Sequence, residues 1–179
     1  KAAVAEAALD AGASIVNDVR GLTADPELAS LVANRKVPVV IMHDAKIISH
    51  ALLMPQLVRE LNQRIDIALH AGIEWDRIIV DPGFGFGKNA EMNLELLHRL
   101  GELRVLGRPI LSGTSRKSTI GKVLQADPDE RIEGTAATVS VAIVNGADIV
   151  RVHDVREMSR VARMTDAIVR GTWFEHSLE

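Results

Sequence analysis

The sequence predicts an α/β fold on parallel strands: a TIM-type (β/α)8 barrel, represented here by about five strands and their flanking helices. Three observations predict it. Short apolar runs alternate with longer segments of helical period along the whole chain. Every apolar run ends in polar or reactive residues, namely Asn17-Asp18, His43, Asp81, Ser115-Arg116-Lys117 and Arg151-Val152-His153-Asp154. Strand ends that all carry such groups suit a barrel, where they converge on one face, better than an open sheet, which gathers them at one switch point. No linker, low-complexity stretch or sequence repeat divides the chain, so residues 1–179 read as a single domain.

The elements follow in order. Residues 1–11 are an alanine-rich helical run stopped at Gly12, and residues 14–18 are the first strand. Asp25 is an N-cap ahead of Pro26 at the first helical position, opening a helix over residues 26–34. Residues 37–43 form a second, buried strand. Leu57, Leu61, Ile65, Ala68 and Leu69 keep roughly the helical period across residues 55–70, and Ala71-Gly72 ends that helix. A third strand over 77–82, a helix over 89–103 and a fourth strand over 109–113 come next. Helices over 115–124 and 131–145, a fifth strand over 148–153 and a helix over 155–170 complete the chain, with stops at Gly146 and Gly171. A complete barrel needs about 250 residues. Lys1 opens inside a helical run with no cap before it, so about three strands are expected to be absent at the amino end. Two open sheet edges would then invite association with another chain.

Composition narrows the function classes. A formal net charge of -3 argues against a nucleic-acid or anionic-membrane partner. No apolar run approaches the roughly 18 residues of a membrane span, and the chain does not open with a basic-then-apolar leader. There is no cysteine, which excludes disulfides and thiolate-held zinc. No His and carboxylate residues show the tight spacing of a protein-only metal site.

The most informative stretch is Asp81-Pro82-Gly83-Phe84-Gly85-Phe86-Gly87-Lys88. It is not a Walker A loop: Gly83 lies one residue too close to Gly87-Lys88, and Asn89 stands where a hydroxyl is needed. The dinucleotide spacing is also absent. A turn that lets the backbone hug a ligand and an ordinary glycine-rich turn with an exposed Asp both fit these residues. Asp81 has a specific use beside a fused pyrimidinone bearing a 2-amino group, because a carboxylate accepts from two adjacent N–H donors at once. Asn17, with one acceptor and two donors, would read the neighbouring ring edge.

Gly113-Thr114-Ser115-Arg116-Lys117-Ser118 follows a strand and opens a helix, so two cations and two hydroxyls at a helix start would form an anion site. A structural cap would carry Asp or Glu there instead of cations. Arg151 and His153 share a face by strand alternation and would clamp phosphate oxygens, unless a neighbouring carboxylate engages Arg151. His43 fits a structural role as well as a functional one. His50, His70, His98 and His176 read as surface residues, Trp75 and Trp173 as packing residues, and Arg59, Glu60 and Arg64 as a solvated helix face.

Six stretches, in order, resemble the later strand-end motifs of the dihydropteroate synthase family of pterin-binding barrels. They are Asn17-Asp18-Val19-Arg20, Pro38-Val39-Val40-Ile41-Met42-His43, residues 81–88, Ser115-Arg116-Lys117-Ser118, Gly134-Thr135-Ala136 and Arg151-Val152-His153-Asp154-Val155. The resemblance implies a cytoplasmic, Mg2+-assisted transferase of folate biosynthesis, the target of sulfonamides. It would condense 6-hydroxymethyl-7,8-dihydropterin diphosphate with p-aminobenzoate, giving dihydropteroate and pyrophosphate. Asn17 and Asp81 would hold the pterin ring. Lys117 would hydrogen-bond the pterin and wall the p-aminobenzoate pocket. Phe86 would pack on that second substrate with Ser118 near its carboxylate, and Arg151 and His153 would bind the diphosphate. Lys117, Arg151 and His153 are thus the expected catalytic residues, no residue is expected to ligate metal directly, and a homodimer through the late helices is implied.

The sequence also departs from the family. Met-Gln-Gly is usual after the histidine of the second motif, whereas Asp44-Ala45-Lys46 follows here. Two alternatives stay open at this point. One is a pterin-barrel methyltransferase acting on methyltetrahydrofolate, which would need no diphosphate clamp. The other is a truncated, non-catalytic chain that binds pterin only.

Overall fold

The architecture comes from a computed structural model that describes residues 1–171. Trp173 and His176 lie outside the described residues. The strands are β1 (Val16–Asp18), β2 (Val39–Met42), β3 (Ile78–Asp81), β4 (Leu111–Ser112) and β5 (Ile149–Val150). The helices are α1 (Ala2–Asp10), α2 (Pro26–Arg35), α3 (Leu53–His70), α4 (Ala90–His98), α5 (Ser118–Leu124), α6 (Ile132–Val144) and α7 (Val155–Arg170).

All neighbouring strands are parallel and follow chain order. β1 pairs with β2, β2 with β3 and β4 with β5, and a single bridge between Val80 and Ile110 joins the two groups. The Val80 N–H donates to Pro109 O at 2.9 Å across that junction. Sequential order without a reversal is the barrel arrangement the sequence predicts, although the described strands do not close into a ring.

Alternation sorts each strand into two faces. Val16, Val39, Ile41, Ile78, Val80 and Ile110 belong to the main core, together with Leu53, Leu57, Leu61 and Ile65 of α3 and Leu96 and Leu100 beyond it. A smaller cluster of Val139, Ile143 and Met158 seals α6 against α7, with Val150 and Val152 packed on it. Those residues face the helices. The opposite face carries Asn17, Val40 and Ile79 in one register row and Met42 and Asp81 in the next. Every residue of β2 is buried, as a central parallel strand requires.

Boundaries depart from the sequence expectation for local reasons. Asp25 caps α2 as expected, accepting from Glu27 N. α4 ends at His98 rather than near residue 103: the Asn145 side chain donates to Leu97 O at 2.9 Å and His98 O at 3.1 Å, and a 3-10 segment follows over Leu100–Leu106. Here a residue distant in sequence satisfies the terminal carbonyls of the helix. α5 starts at Ser118 rather than Ser115 because Arg116 is left-handed, with φ 55. Trp75 is half-exposed, not core, and lies 4.2 Å beneath the Arg108 guanidinium.

Candidate active site

The second face of the strands and the loops that follow them bring the predicted residues together. Asp81 closes β3 and is 6% exposed. Its Oδ1 accepts from Gly83 N at 2.7 Å. Burial pushes its carboxyl up to about 6, against the pull of that N–H and of the Lys88, Lys117 and Arg151 cations. Three positive side chains from three separate loops therefore act on one buried carboxyl, as convergence at strand ends requires.

Lys117 stands at the N-cap of α5, and its Nζ lies 4.6 Å from the centroid of the Phe86 ring. Burial draws its ammonium below the ordinary lysine range, Asp81 pulls the other way and Arg151 reinforces the drop. Gly85 is left-handed, and a Cβ there would sit 3.2 Å from Lys117 Cδ, so the missing side chain lets the lysine lie across the loop. Phe86 remains 38% exposed, an aromatic wall open on one side. Ser118 follows Lys117 as the first residue of α5 and is exposed.

Arg151 and His153 follow β5. The Arg151 N–H donates to Ser112 O at 3.0 Å, continuing the ladder, and its exposed guanidinium has no ion pair among the described residues. His153 is exposed as well. Ser115 fixes it twice, accepting from the His153 backbone N at 3.1 Å and meeting Nδ1 at 2.9 Å. Asn17, exposed on β1, shares the face of Asp81 through the β1–β2–β3 register.

Two expectations are corrected. Arg116 does not join an anion site: its guanidinium is held by Asp154 at 2.5 and 3.0 Å and by Asp129 at 3.1 Å. The left-handed backbone turns it away from Lys117, and its own N–H donates to the fully buried Thr135 at 3.1 Å. Of the predicted solvated face of α3, only Arg59 is solvated. Arg64 is 7% exposed, donates to Met42 O and binds Asp44 at 2.6 Å, while Glu60 binds His43 at 2.8 Å. Asp44 also pairs with Arg20 at 2.9 Å, so the unusual residue after His43 ties the first two strand-end loops to α3.

His43, fully buried, lies on the helix-facing side and not in the site. Burial drives its pKa down to about 4, aided by Lys88 and Arg64 and opposed by Glu60. Lys88, to which no role was given, donates to His43 Nδ1 at 3.2 Å, Gly83 O at 3.2 Å and Phe86 O at 3.0 Å. Burial lowers its ammonium to about 8, with Asp81 opposing. Asn93, also unforeseen, accepts from Gly85 N at 2.8 Å and pins the same loop to α4. A signal for Arg64 was present: it lies on the stripe Leu57, Leu61, Arg64, Ala68, which a solvated residue would interrupt.

Comparison with known proteins gives one consistent result. The chain is 44% identical over 176 residues to a dihydropteroate synthase of Bacillus subtilis, covering 98% of this chain and 62% of the relative. It is 48% identical over 171 residues to that of Clostridium beijerinckii, covering 95% and 64%. A Clostridium difficile dihydropteroate synthase solved in the presence of pteroic acid superposes with a TM-score of 0.90 at 48% identity, over 95% of this chain and 65% of that one. A Xanthomonas albilineans dihydropteroate synthase with 4-aminobenzoic acid gives 0.88 at 39% identity, over 94% and 62%. The chain thus spans a little under two thirds of the length of these relatives. The family described as pterin binding enzyme matches residues 1–153, more than four fifths of the sequence and all five strands, and the chain belongs to that family.

Proposed function

We propose that this chain forms a single pterin-binding domain of a dihydropteroate synthase. It would condense 6-hydroxymethyl-7,8-dihydropterin diphosphate with p-aminobenzoate to give dihydropteroate and pyrophosphate. The observation that carries the reading is the buried Asp81 carboxyl facing Lys88, Lys117 and Arg151, with the Phe86 ring beneath Lys117. The 2-amino and ring N–H donors of a pterin would replace the water that Asp81 gives up, in bidentate, charge-assisted geometry. Asn17 would read the adjacent ring edge. Phe86 would pack on the aminobenzoate ring, Lys117 would hydrogen-bond the pterin and wall the same pocket, and Ser118 would lie near the aminobenzoate carboxylate.

Arg151 and His153 would hold the diphosphate. Departure of that group builds negative charge on its bridging oxygen, and the Arg151 guanidinium and the His153 imidazole, the latter held by Ser115, would stabilise that charge. The methylene left on the pterin is captured by the aniline nitrogen of the second substrate, so orientation supplies most of the remaining acceleration and no protein nucleophile is needed. The resemblance also brings Mg2+. Among the described residues no group of three or more His, Asp or Glu side chains converges on a cation site, which does not fit an ion held by this chain alone, and no step here is routed through one. Exposed Val144 on α6 and Met164 and Ile168 on α7 support a homodimer through these helices. No described helix is long and apolar enough to cross a membrane, and a cytoplasmic location belongs to the same reading.

Titration calorimetry with 6-hydroxymethylpterin tests the proposal. Binding should be lost in Asp81→Asn and should tighten when pyrophosphate is added to the parent but not to Arg151→Ala. Equal pterin affinity in the parent and Asp81→Asn would overturn it.

A further inference from the structure

A network runs behind the glycine loop, and the proposed chemistry draws on only one of its members, the Lys88 ammonium that acts on Asp81. His43 Nε2 meets Glu60 Oε2 at 2.8 Å, and Glu60 Oε1 accepts from Gln56 at 2.9 Å. Burial opposes ionisation of Glu60, but its bonds to His43 and Gln56 outweigh that and keep its carboxyl below the ordinary value. An ionised carboxylate only accepts, so His43 Nε2 carries a proton. A lysine ammonium only donates, so Nδ1, which faces Lys88 Nζ at 3.2 Å, is bare. The neighbours on both sides therefore dictate a single neutral tautomer.

Lys88 has three N–H donors, and the three acceptors around it are His43 Nδ1, Gly83 O and Phe86 O. The two carbonyls are the ends of the turn closed by Phe86 N donating to Gly83 O at 3.1 Å. This fixes the backbone that aims the Phe86 ring at Lys117. The loop cannot take up the slack by shifting toward β2. A Cβ on Gly83 would fall 1.9 Å from His43 O, and one on Gly87 2.1 Å from Ala45 O.

We propose that Glu60 and His43, on the helix side of β2, and Lys88, which reaches from them to the glycine loop, form a positioning relay that sets the Gly83–Gly87 loop and with it the Phe86–Lys117 wall. The identity of the ligand on that wall rests on the function proposed above; the relay does not. Glu60 orients the imidazole, the imidazole presents one lone pair, and that lone pair supplies the acceptor the two carbonyls leave over on Lys88. None of the three residues needs to touch a substrate.

Two variants separate positioning from bulk structure. Asparagine at 43 keeps an oxygen acceptor where Nδ1 lies but cannot reach Glu60, whereas glutamine keeps a donor toward Glu60 and loses the acceptor. Amide exchange at Gly83, Gly85 and Gly87, followed by NMR, should be about tenfold faster in His43→Gln and Lys88→Met, the weight of one bond to a charged group. His43→Asn should stay within about twofold of the parent. p-Aminobenzoate affinity should fall in the same two variants and hold in His43→Asn. Equal exchange in His43→Asn and His43→Gln would overturn the relay. Nitrogen shifts of His43 in the parent need no variant: a protonated Nδ1 would overturn it too, even if neither substitution folds. If the parent binds no p-aminobenzoate, the functional reading fails while the exchange and tautomer results still decide the relay.

Discussion

Asp81→Asn should make the protein more stable at neutral pH. The folded protein keeps the Asp81 proton up to about pH 6, whereas the unfolded chain releases it near 3.8. Between those values the folded state binds more protons, so stability falls as pH rises through them. The difference converts to about 3 kcal/mol at pH 7. Asparagine is uncharged throughout, and its Oδ1 can still accept from Gly83 N, so it avoids that cost. The value of about 6 already includes the pull of Lys88, Lys117 and Arg151; part of the gain is given back because the buried amide N–H2 finds no partner, leaving a net of about 2 kcal/mol.

His43 titrates in the same window with the opposite sign. Its folded pKa near 4 lies below the ordinary 6.5, so the unfolded chain binds more protons and stability rises with pH from 4 to 6.5, by about 3 kcal/mol. In the parent the two slopes nearly cancel; in Asp81→Asn only the histidine slope remains. Urea unfolding of both proteins from pH 4.5 to 7.5 measures this directly, because every other carboxyl cancels in the difference. The gap should open with rising pH in favour of the variant. An Asp81→Asn protein less stable than the parent at pH 7 would refute the reasoning, since it would mean that the three cations hold the carboxylate more strongly than burial opposes it.

Arg64→Ala strands Met42 O and removes a partner from Asp44, and should cost about 3 kcal/mol in urea unfolding, with a less than additive effect when Asp44→Ala is added. Gly83→Ala should cost more than about 3 kcal/mol, because its Cβ would strike the carbonyl of His43 at a left-handed backbone position. Gly113→Ala, with nothing within 4 Å of its added Cβ, should change unfolding by less than about 0.5 kcal/mol. If Lys117 walls the proposed pocket, Lys117→Ala should weaken p-aminobenzoate binding at least about tenfold by calorimetry, while unfolding moves by less than about 1 kcal/mol because this lysine rests on a part-exposed ring and holds no core.

Legibility in the sequence followed the range of each interaction. Helices and strands were readable because their signals are local: the Asp25 cap, the Gly72 and Gly146 stops, and the apolar runs that became β2 and β3. Asp81, Lys117 and Arg151 were readable as strand-end groups because parallel strands in sequential order bring all such ends together. Helix ends set by distant residues were not readable, as the Asn145 cap on α4 shows. Nor was Arg116: nothing local says that Lys117 goes to the site while its neighbour is turned away to Asp154. His43 could have been assigned from alternation, since it keeps step with Val39 and Ile41, which face the core, whereas Asp81 keeps step with Ile79 on the other face.

That difference in phase explains how a short set of strands carries both a ligand site and its support. Each strand end offers adjacent residues to opposite faces, and the polar ones split accordingly: Asn17, Asp81 and Arg151 away from the helices, toward the candidate site, and His43 toward α3. Polar groups on the helix side must find partners within the protein, since water does not reach them. They find them in Gln56, Glu60 and Arg64, one turn apart along α3. Asp81, by contrast, is left buried with one backbone donor and three distant cations, short of the partners that would keep it ionised at ordinary acidity. A protein built for stability alone would satisfy or remove that carboxyl. Left unmet beside a satisfied network, it is the group that the proposed pterin donors would serve, and the same contrast makes the pH dependence of Asp81→Asn a test of that proposal's premise as well as of folding.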